Sequence, residues 1–127
     1  MKNRQVTNVN TGGQLRIIGG QWRGRKLSFT AAEGLRPTSD RVRETLFNWL
    51  EPEIRGAQCV DLFAGSGALG LEALSRGAQH CVFVDTTASV ARQINTLLET
   101  LNARAEGKCH VSTAVDYLHT HTGPVDV

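Results

Sequence analysis

The first 26 residues of this 127-residue chain contain six Lys or Arg and no acid. The chain has three prolines, no two of them adjacent, and three cysteines, Cys59, Cys81 and Cys109, without a Cys-x-x-Cys spacing. An odd, scattered set of this kind excludes a disulfide framework and a cysteine zinc site, so the three are read as reduced core thiols at strand edges. His80, His110, His119 and His121 form no ligand spacing with acids or thiols, and no metal is expected. No apolar run approaches the roughly 18 residues a membrane helix needs. The opening "MKNRQVTNVNTGGQ" is polar, with no apolar segment of signal type. A cytoplasmic location and no membrane partner are therefore expected.

What is there fits one domain with a real core, because a chain of this size buries roughly two-thirds of its unfolded surface. Apolar residues make up 40% of it and charged residues 20%. The net charge of +2 is unevenly placed: residues 1–55 carry ten cations against five acids, residues 56–127 four against seven. A basic front suggests a polyanion partner. A solvated tail accounts for Lys2 and Arg4, and less well for Arg16, Arg23, Arg25 and Lys26, which lie in strand-like sequence.

Residues 1–13 read as a disordered tail. "QLRIIGGQWRGRKLSF" predicts two strands, about 15–19 and 25–29, around a Gly-rich turn. Thr38 or Ser39 caps the next helix, Val42, Leu46, Trp49 and Leu50 form its buried stripe, and Pro52 ends it. From Cys59 the rhythm becomes strand 59–63, helix 67–76 closed by Gly77, strand 80–84 ending at Asp85, helix 88–102, strand 108–112, helix 114–120. A further strand starts in "GPVDV". This alternation implies a parallel sheet with right-handed crossovers.

Gly65-Ser66-Gly67-Ala68-Leu69-Gly70 fits G-x-G-x-x-G, a pattern usually read as a dinucleotide site. Asp61 argues against that. At 5 Å and an effective dielectric of ~20, each unit of like charge costs roughly 3 kcal/mol before screening, so an acid four residues ahead of Gly65 repels a pyrophosphate. It suits S-adenosylmethionine, whose amine and sulfonium are cationic and whose one carboxylate can meet N–H groups near Gly67. Asp85, at the next strand end, can accept hydrogen bonds from ribose hydroxyls with either cofactor. A dehydrogenase remains arguable from Gly70 and Asp85.

The combination D-x-F-x-G-x-G plus a strand-end acid resembles class I S-adenosylmethionine-dependent methyltransferases. With "RIIGGQWRGRKL" and "LRPTSDRVRETLFNWL" ahead of it, the chain is similar to the RsmD family, from about Leu15 onward. That resemblance implies an α/β, Rossmann-like doubly wound sheet with an N-terminal β-hairpin and helix. It divides the chain into residues 14–55, a basic RNA-facing extension, and residues 56–127, the N-terminal half of the cofactor domain. It implies methylation of the exocyclic N2 of one guanine in 16S rRNA, in the small ribosomal subunit or its assembly intermediate. Asp61, Phe63, Ala64, Gly65, Ser66 and Gly67 match the first cofactor motif. Asp85 matches the ribose acid and Thr86 lies beside the adenine. Thr113-Ala114 stands where the family has an Asp-Ala or Asn-Ala adenine edge; Asp116 reads as a helix-surface residue.

On the RNA side the resemblance points to Arg16, Arg23, Arg25, Lys26, Arg36 and Thr38. Arg36 alternatively reads as a solvated loop cation. Arg41 and Arg43 read either as phosphate contacts or as a solvated helix face. Trp22 reads either as a base-stacking ring or as packing against the main domain. The family's Asp/Asn-Pro-Pro-Phe/Tyr string, which holds the amine to be methylated, does not occur in these residues. The sheet is accordingly expected to be truncated in strand 4, as an N-terminal fragment without catalytic residues and inactive alone. The alternatives are an RNA-binding module with a degenerate methyltransferase fold, and a methyltransferase acting on DNA or protein glutamine.

Overall fold

The computed structural model describes residues 13–29, 39–121 and 123–127. Arg36, Pro37, Thr38 and the tail up to Thr11-Gly12 lie outside the described residues. Strand β1 (Gly13–Arg16) pairs antiparallel with β2 (Lys26–Phe29). Gly13, expected in the tail, thus opens a strand. β1 also stops earlier than the sequence suggested, and the cause is specific. Ile17 still bonds back to the hairpin partner (N–H to Arg25 O, 2.9 Å), but the N–H groups of Ile18 and Gly19 donate instead to the carboxylate of Glu72. Alternation along the hairpin sends Leu15, Ile17, Leu27 and Phe29 into the core and leaves Arg16 and Lys26 outside.

Helix α1 (Asp40–Ile54) starts at Ser39, whose Oγ accepts the Val42 N–H at 3.2 Å, and Asp40 sits in its first turn. Pro52 does not end it; the helix runs two residues further. The N–H that Pro52 lacks would have met the carbonyl of Asn48, an exposed residue whose carbonyl water can satisfy. The expected stripe is also corrected. Val42 is 58% and Trp49 78% exposed, and the inward positions are Arg43, Phe47 and Ile54, with Leu46 and Leu50 half-buried. An arginine occupies an inward turn of the helix, which a count of apolar residues passes over.

Strands β3 (Gln58–Asp61), β4 (His80–Asp85) and β5 (Gly107–Val111) form a parallel sheet in the order β3-β4-β5. Helices α2 (Ala68–Ser75) and α3 (Ala88–Thr100) make the crossovers, α2 packing on β3 and β4 and α3 on β4 and β5. Gly107 fits between them, since a Cβ there would meet Leu98 at 2.9 Å and Leu74 at 3.2 Å. Helix α4 (Ala114–Thr120) follows β5. Residues 124–127 carry no regular strand, although they lie along the free edge of β3: Val60 N–H donates to Val127 O (3.0 Å) and Asp126 N–H to Gln58 O (2.8 Å). The chain thus returns to the side of β3 opposite β4, the switch of direction at which doubly wound sheets bind ligands. Cys59, Cys81 and Cys109 are all buried and free, on three adjacent strands. No helix among the described residues is long and apolar enough to cross a membrane.

Candidate cofactor site and nucleic-acid interface

β3 ends at Asp61 and the chain turns through Leu62–Gly67 into α2. The turn needs left-handed backbone at Gly65 (φ 55°) and Gly67 (φ 87°), which glycine adopts at no steric cost. Its first N–H groups are already engaged. Ala64 N–H donates to Val84 O (2.9 Å), Gly65 N–H to Asp85 Oδ2 (3.0 Å) and Gly67 N–H to Ala64 O (2.8 Å). The first intrahelical bond is from Leu71 N–H to Gly67 O (2.9 Å), so the helix itself does not use the N–H groups of Ala68, Leu69 and Gly70. These are the positions open to a small anion such as a single carboxylate.

Two acids stand at the strand ends beside this turn. Asp85 accepts the Gly65 N–H with one oxygen and the Thr87 N–H (3.0 Å) with the other. Each carboxylate oxygen retains a second lone pair for a hydroxyl donor. Asp61 accepts the Phe63 N–H (3.2 Å) through Oδ1, while its Oδ2 is buried and has no partner. Burial pushes the Asp61 carboxyl above its ordinary range, the Phe63 N–H opposes this, and the Asp85 charge adds to it. An orphaned carboxylate oxygen next to a second carboxylate is a strong acceptor lacking a donor, and a cationic amine fits it. A diphosphate does not fit, because it would face the Asp61 carboxylate and a glycine N–H already spent on Asp85. The donor set therefore suits S-adenosylmethionine.

The other residues expected at this site fall around it in different ways. Phe63 is 81% exposed, and with Asp61, Leu46, Leu50, Leu69 and Val127 it lines an apolar cavity of about 250 Å³ between α1 and the edge of β3. Ala64 and Ser66 are buried in the turn. Thr86 is exposed just past Asp85. Ser112 N–H donates to Asp85 O (2.9 Å), which brings Thr113 and Ala114 to the same strand ends. The Thr113 hydroxyl is engaged as the cap of α4, accepting the Asp116 N–H at 3.0 Å, and Asp116 is exposed on that helix. His110 and His121 pack with Tyr117; the Tyr117 and His121 rings stack at 4.0 Å.

The basic residues separate into groups. Arg16 and Lys26 are cross-strand neighbours on the outer face of the hairpin. Like charges in that relation repel unless an anion meets them; Arg16 has Asp40 at 3.6 Å. Arg23 and Arg25 are exposed in the turn, and Arg41 is exposed on α1. Trp22 is half-buried against the core, which favours its packing role. The turn holding Trp22 leans on Ser75 at the far end of α2: Gln21 N–H donates to Ser75 O (2.8 Å) and Trp22 N–H to Ser75 Oγ (3.0 Å). It therefore lies a helix length from the glycine turn. Arg43 is neither a phosphate contact nor a solvated face. It is 0% exposed, with Nε donating to Glu72 (3.2 Å) and Nη2 to Asp40 (3.0 Å) and to the Arg16 carbonyl.

Sequence reasoning missed Glu72, which is also 0% exposed. The available signal was an acid in the otherwise apolar helix "ALGLEALS" with Arg76 one turn later, where they pair at 2.8 Å. Among the described residues no group of three or more His, Cys, Asp or Glu could hold a metal ion.

Comparison with known proteins follows the same line. The family model described as "Conserved hypothetical protein 95" matches residues 15–127. "Ribosomal RNA small subunit methyltransferase D" of Escherichia coli strain K12 is 60% identical over 96 residues, covering 76% of this chain and 48% of that protein. The Haemophilus influenzae protein of the same description is 52% identical over 103 residues, covering 81% and 53%. The chain thus spans about half the length of these curated relatives. The solved structure described as "Putative methyltransferase yhhF from Escherichia coli" superposes with a TM-score of 0.74 at 53% identity, covering 84% of this chain and 56% of that one. On the extent of the family match and the level of identity, this chain belongs to the "Conserved hypothetical protein 95" family, the RsmD family that its motifs resemble.

Proposed function

We propose that the protein serves S-adenosylmethionine-dependent methylation of 16S rRNA, at the exocyclic N2 of one guanine of the small ribosomal subunit, in the cytoplasm. The observation that carries the cofactor half of this reading is the buried, partnerless Oδ2 of Asp61 beside a turn whose first glycine N–H is taken by Asp85. Asp61 holds the amine of the cofactor. Asp85 accepts its ribose hydroxyls on the lone pairs left by Gly65 and Thr87. The N–H groups at the start of α2 meet its carboxylate. When bound, S-adenosylmethionine supplies a methyl group on a sulfonium, which passes in line to a nucleophile as the thioether leaves. The chain's own contribution to that step is orientation. Phe63 and Thr86 flank the bound nucleoside, and Thr113-Ala114 borders its adenine.

The RNA half of the reading is supported by the hairpin and by the descriptions of the relatives. Arg16, Lys26, Arg25 and Arg23 follow one another along an element with no acid, and their positions fit phosphate contacts, which fix register without reading sequence. Arg36, Thr38 and Arg41 are proposed to continue that surface. The amine of guanine is a weak nucleophile whose lone pair is delocalised into the ring, and the string that would hold it is absent from residues 1–127. These residues are proposed to supply the donor side of the reaction.

Deleting the coding sequence from its source cell and analysing 16S rRNA by mass spectrometry tests the reading. One N2-methylguanosine is lost if it is right. An unchanged set of methylated guanosines contradicts it.

A further inference from the structure

Four donors converge on the buried carboxylate of Glu72. Oε1 accepts from Ile18 N–H (3.0 Å) and Arg43 Nε (3.2 Å); Oε2 accepts from Gly19 N–H (2.9 Å) and Arg76 Nε (2.8 Å). Two of the four are backbone groups of the hairpin, at the point where β1 stops. Ser75, one turn on, accepts the Trp22 N–H and donates its hydroxyl to Gly19 O (2.6 Å). The turn is pressed so closely on the helix that a Cβ at Gly20 (φ 81°) would lie 2.0 Å from Ser75 O. On the other side of the cluster, Arg43 donates to Asp40 and to the Arg16 carbonyl, and Asp40 in turn meets the Arg16 guanidinium.

The helix that carries this anchor also carries the glycine turn. From the N-cap Gly67, the eight residues of α2 to Ser75 rise about 12 Å. It is locked to the sheet at Gly70, where a Cβ would stand 2.2 Å from the Phe83 ring. Replacing a buried ion network by apolar packing is often neutral or stabilising, so stability alone is a poor reason for a carboxylate here. A carboxylate with four directed bonds does what apolar contact cannot: it defines one orientation.

We infer that Glu72, with Ser75, is a positioning residue that holds the basic hairpin at a fixed offset from the cofactor turn, using α2 as the strut. RNA phosphates gripped by Arg16, Arg23, Arg25 and Lys26 are thereby set in register with the methyl donor. The inference rests on the proposed RNA-binding role of the hairpin.

The test uses a fluorescein-labelled stem–loop RNA, with affinity measured by anisotropy across a salt series, and S-adenosylhomocysteine affinity measured by calorimetry. Three variants are compared: Lys26→Gln, Glu72→Gln and Gly20→Ala. Lys26→Gln tests the RNA reading itself and reduces the salt slope by about one. Glu72→Gln and Gly20→Ala keep every hairpin cation. The inference predicts that each weakens RNA binding at least fivefold and flattens the salt slope, with cofactor affinity changed by less than twofold. If Glu72→Gln fails to fold, Gly20→Ala decides, because it forces the turn off Ser75 while leaving the charged side chains of Glu72, Arg43 and Arg76 unchanged. Loss of RNA binding in Lys26→Gln with none in Gly20→Ala overturns the positioning role and leaves the RNA reading intact. Equal loss of RNA and cofactor affinity in Gly20→Ala also overturns it, as damage to the whole fold. No effect from any variant overturns the RNA reading, and the inference with it.

Discussion

Asp61 is held in an unfavourable state that the amine of the proposed cofactor would relieve. Burial raises its carboxyl pKa from the ordinary 3.8, and Asp85 adds to the shift. A carboxyl that binds its proton more tightly folded than unfolded makes the folded state lose stability as pH rises through that window. Asp61→Asn removes the charge, so the ligand-free Tm near neutral pH stays level or rises, while S-adenosylmethionine affinity falls at least tenfold. A lower ligand-free Tm with affinity retained contradicts the role given to Asp61. The amine needs the ionised form, so cofactor affinity in the unmodified protein declines as pH drops through the raised pKa. Cysteine chemistry is a second test at this scale. Burial pushes the Cys109 thiol up to about 12, with Asp85 and Asp61 adding to it, and raises Cys59 and Cys81 as well. All three should resist iodoacetamide at pH 7.5 in the native protein and react in denaturant; rapid native alkylation contradicts their burial. Asp61, Asp85 and the thiols were legible in the sequence because strand ends and glycine turns punctuate it. Glu72 and Arg43 were not, because each takes its partners from elements far away in the chain, and nothing local announces the pairing.

Elements were legible where one physical signal dominates. The alternation from Gln58 to Thr120 appears with shifts of a residue or two, since Gly77, Asp85 and Thr113 mark real ends. α1 was legible as a helix but not in its orientation, because its inward face includes Arg43 and its last turn admits Pro52 on an exposed side. β1 was misjudged because its final N–H groups go to Glu72, a choice made by tertiary structure. The three glycines of the turn region separate by role. Gly65 and Gly67 supply backbone conformation, whereas Gly70 supplies room: a Cβ there would lie 2.2 and 2.6 Å from Phe83 and 2.9 Å from Cys81 Sγ, both fully buried. Gly70→Ala should cost about 1–3 kcal/mol by overpacking and lower Tm by roughly 5–15 °C. A Tm within a degree of the parent would mean that α2 is not clamped to β4 as described.

Across the whole molecule, charge and fold divide the chain in the same way. The acid-free hairpin lies against α2 through Glu72 and Ser75, and the acids of the sheet, Asp61 and Asp85, gather at the strand ends beside the glycine turn. In the proposed function the two ends of α2 would serve a polyanion and a cationic nucleoside, which one pattern of like charge could not do. A glycine turn of this sequence would by itself suit a dinucleotide; in the proposed reading the buried carboxylate of Asp61 opposes that preference. Calorimetric titration of the protein with S-adenosylmethionine and, separately, with NADH measures this directly. The account predicts that S-adenosylmethionine binds at least a hundredfold more tightly than NADH, and NADH binding as tightly or more tightly would contradict it.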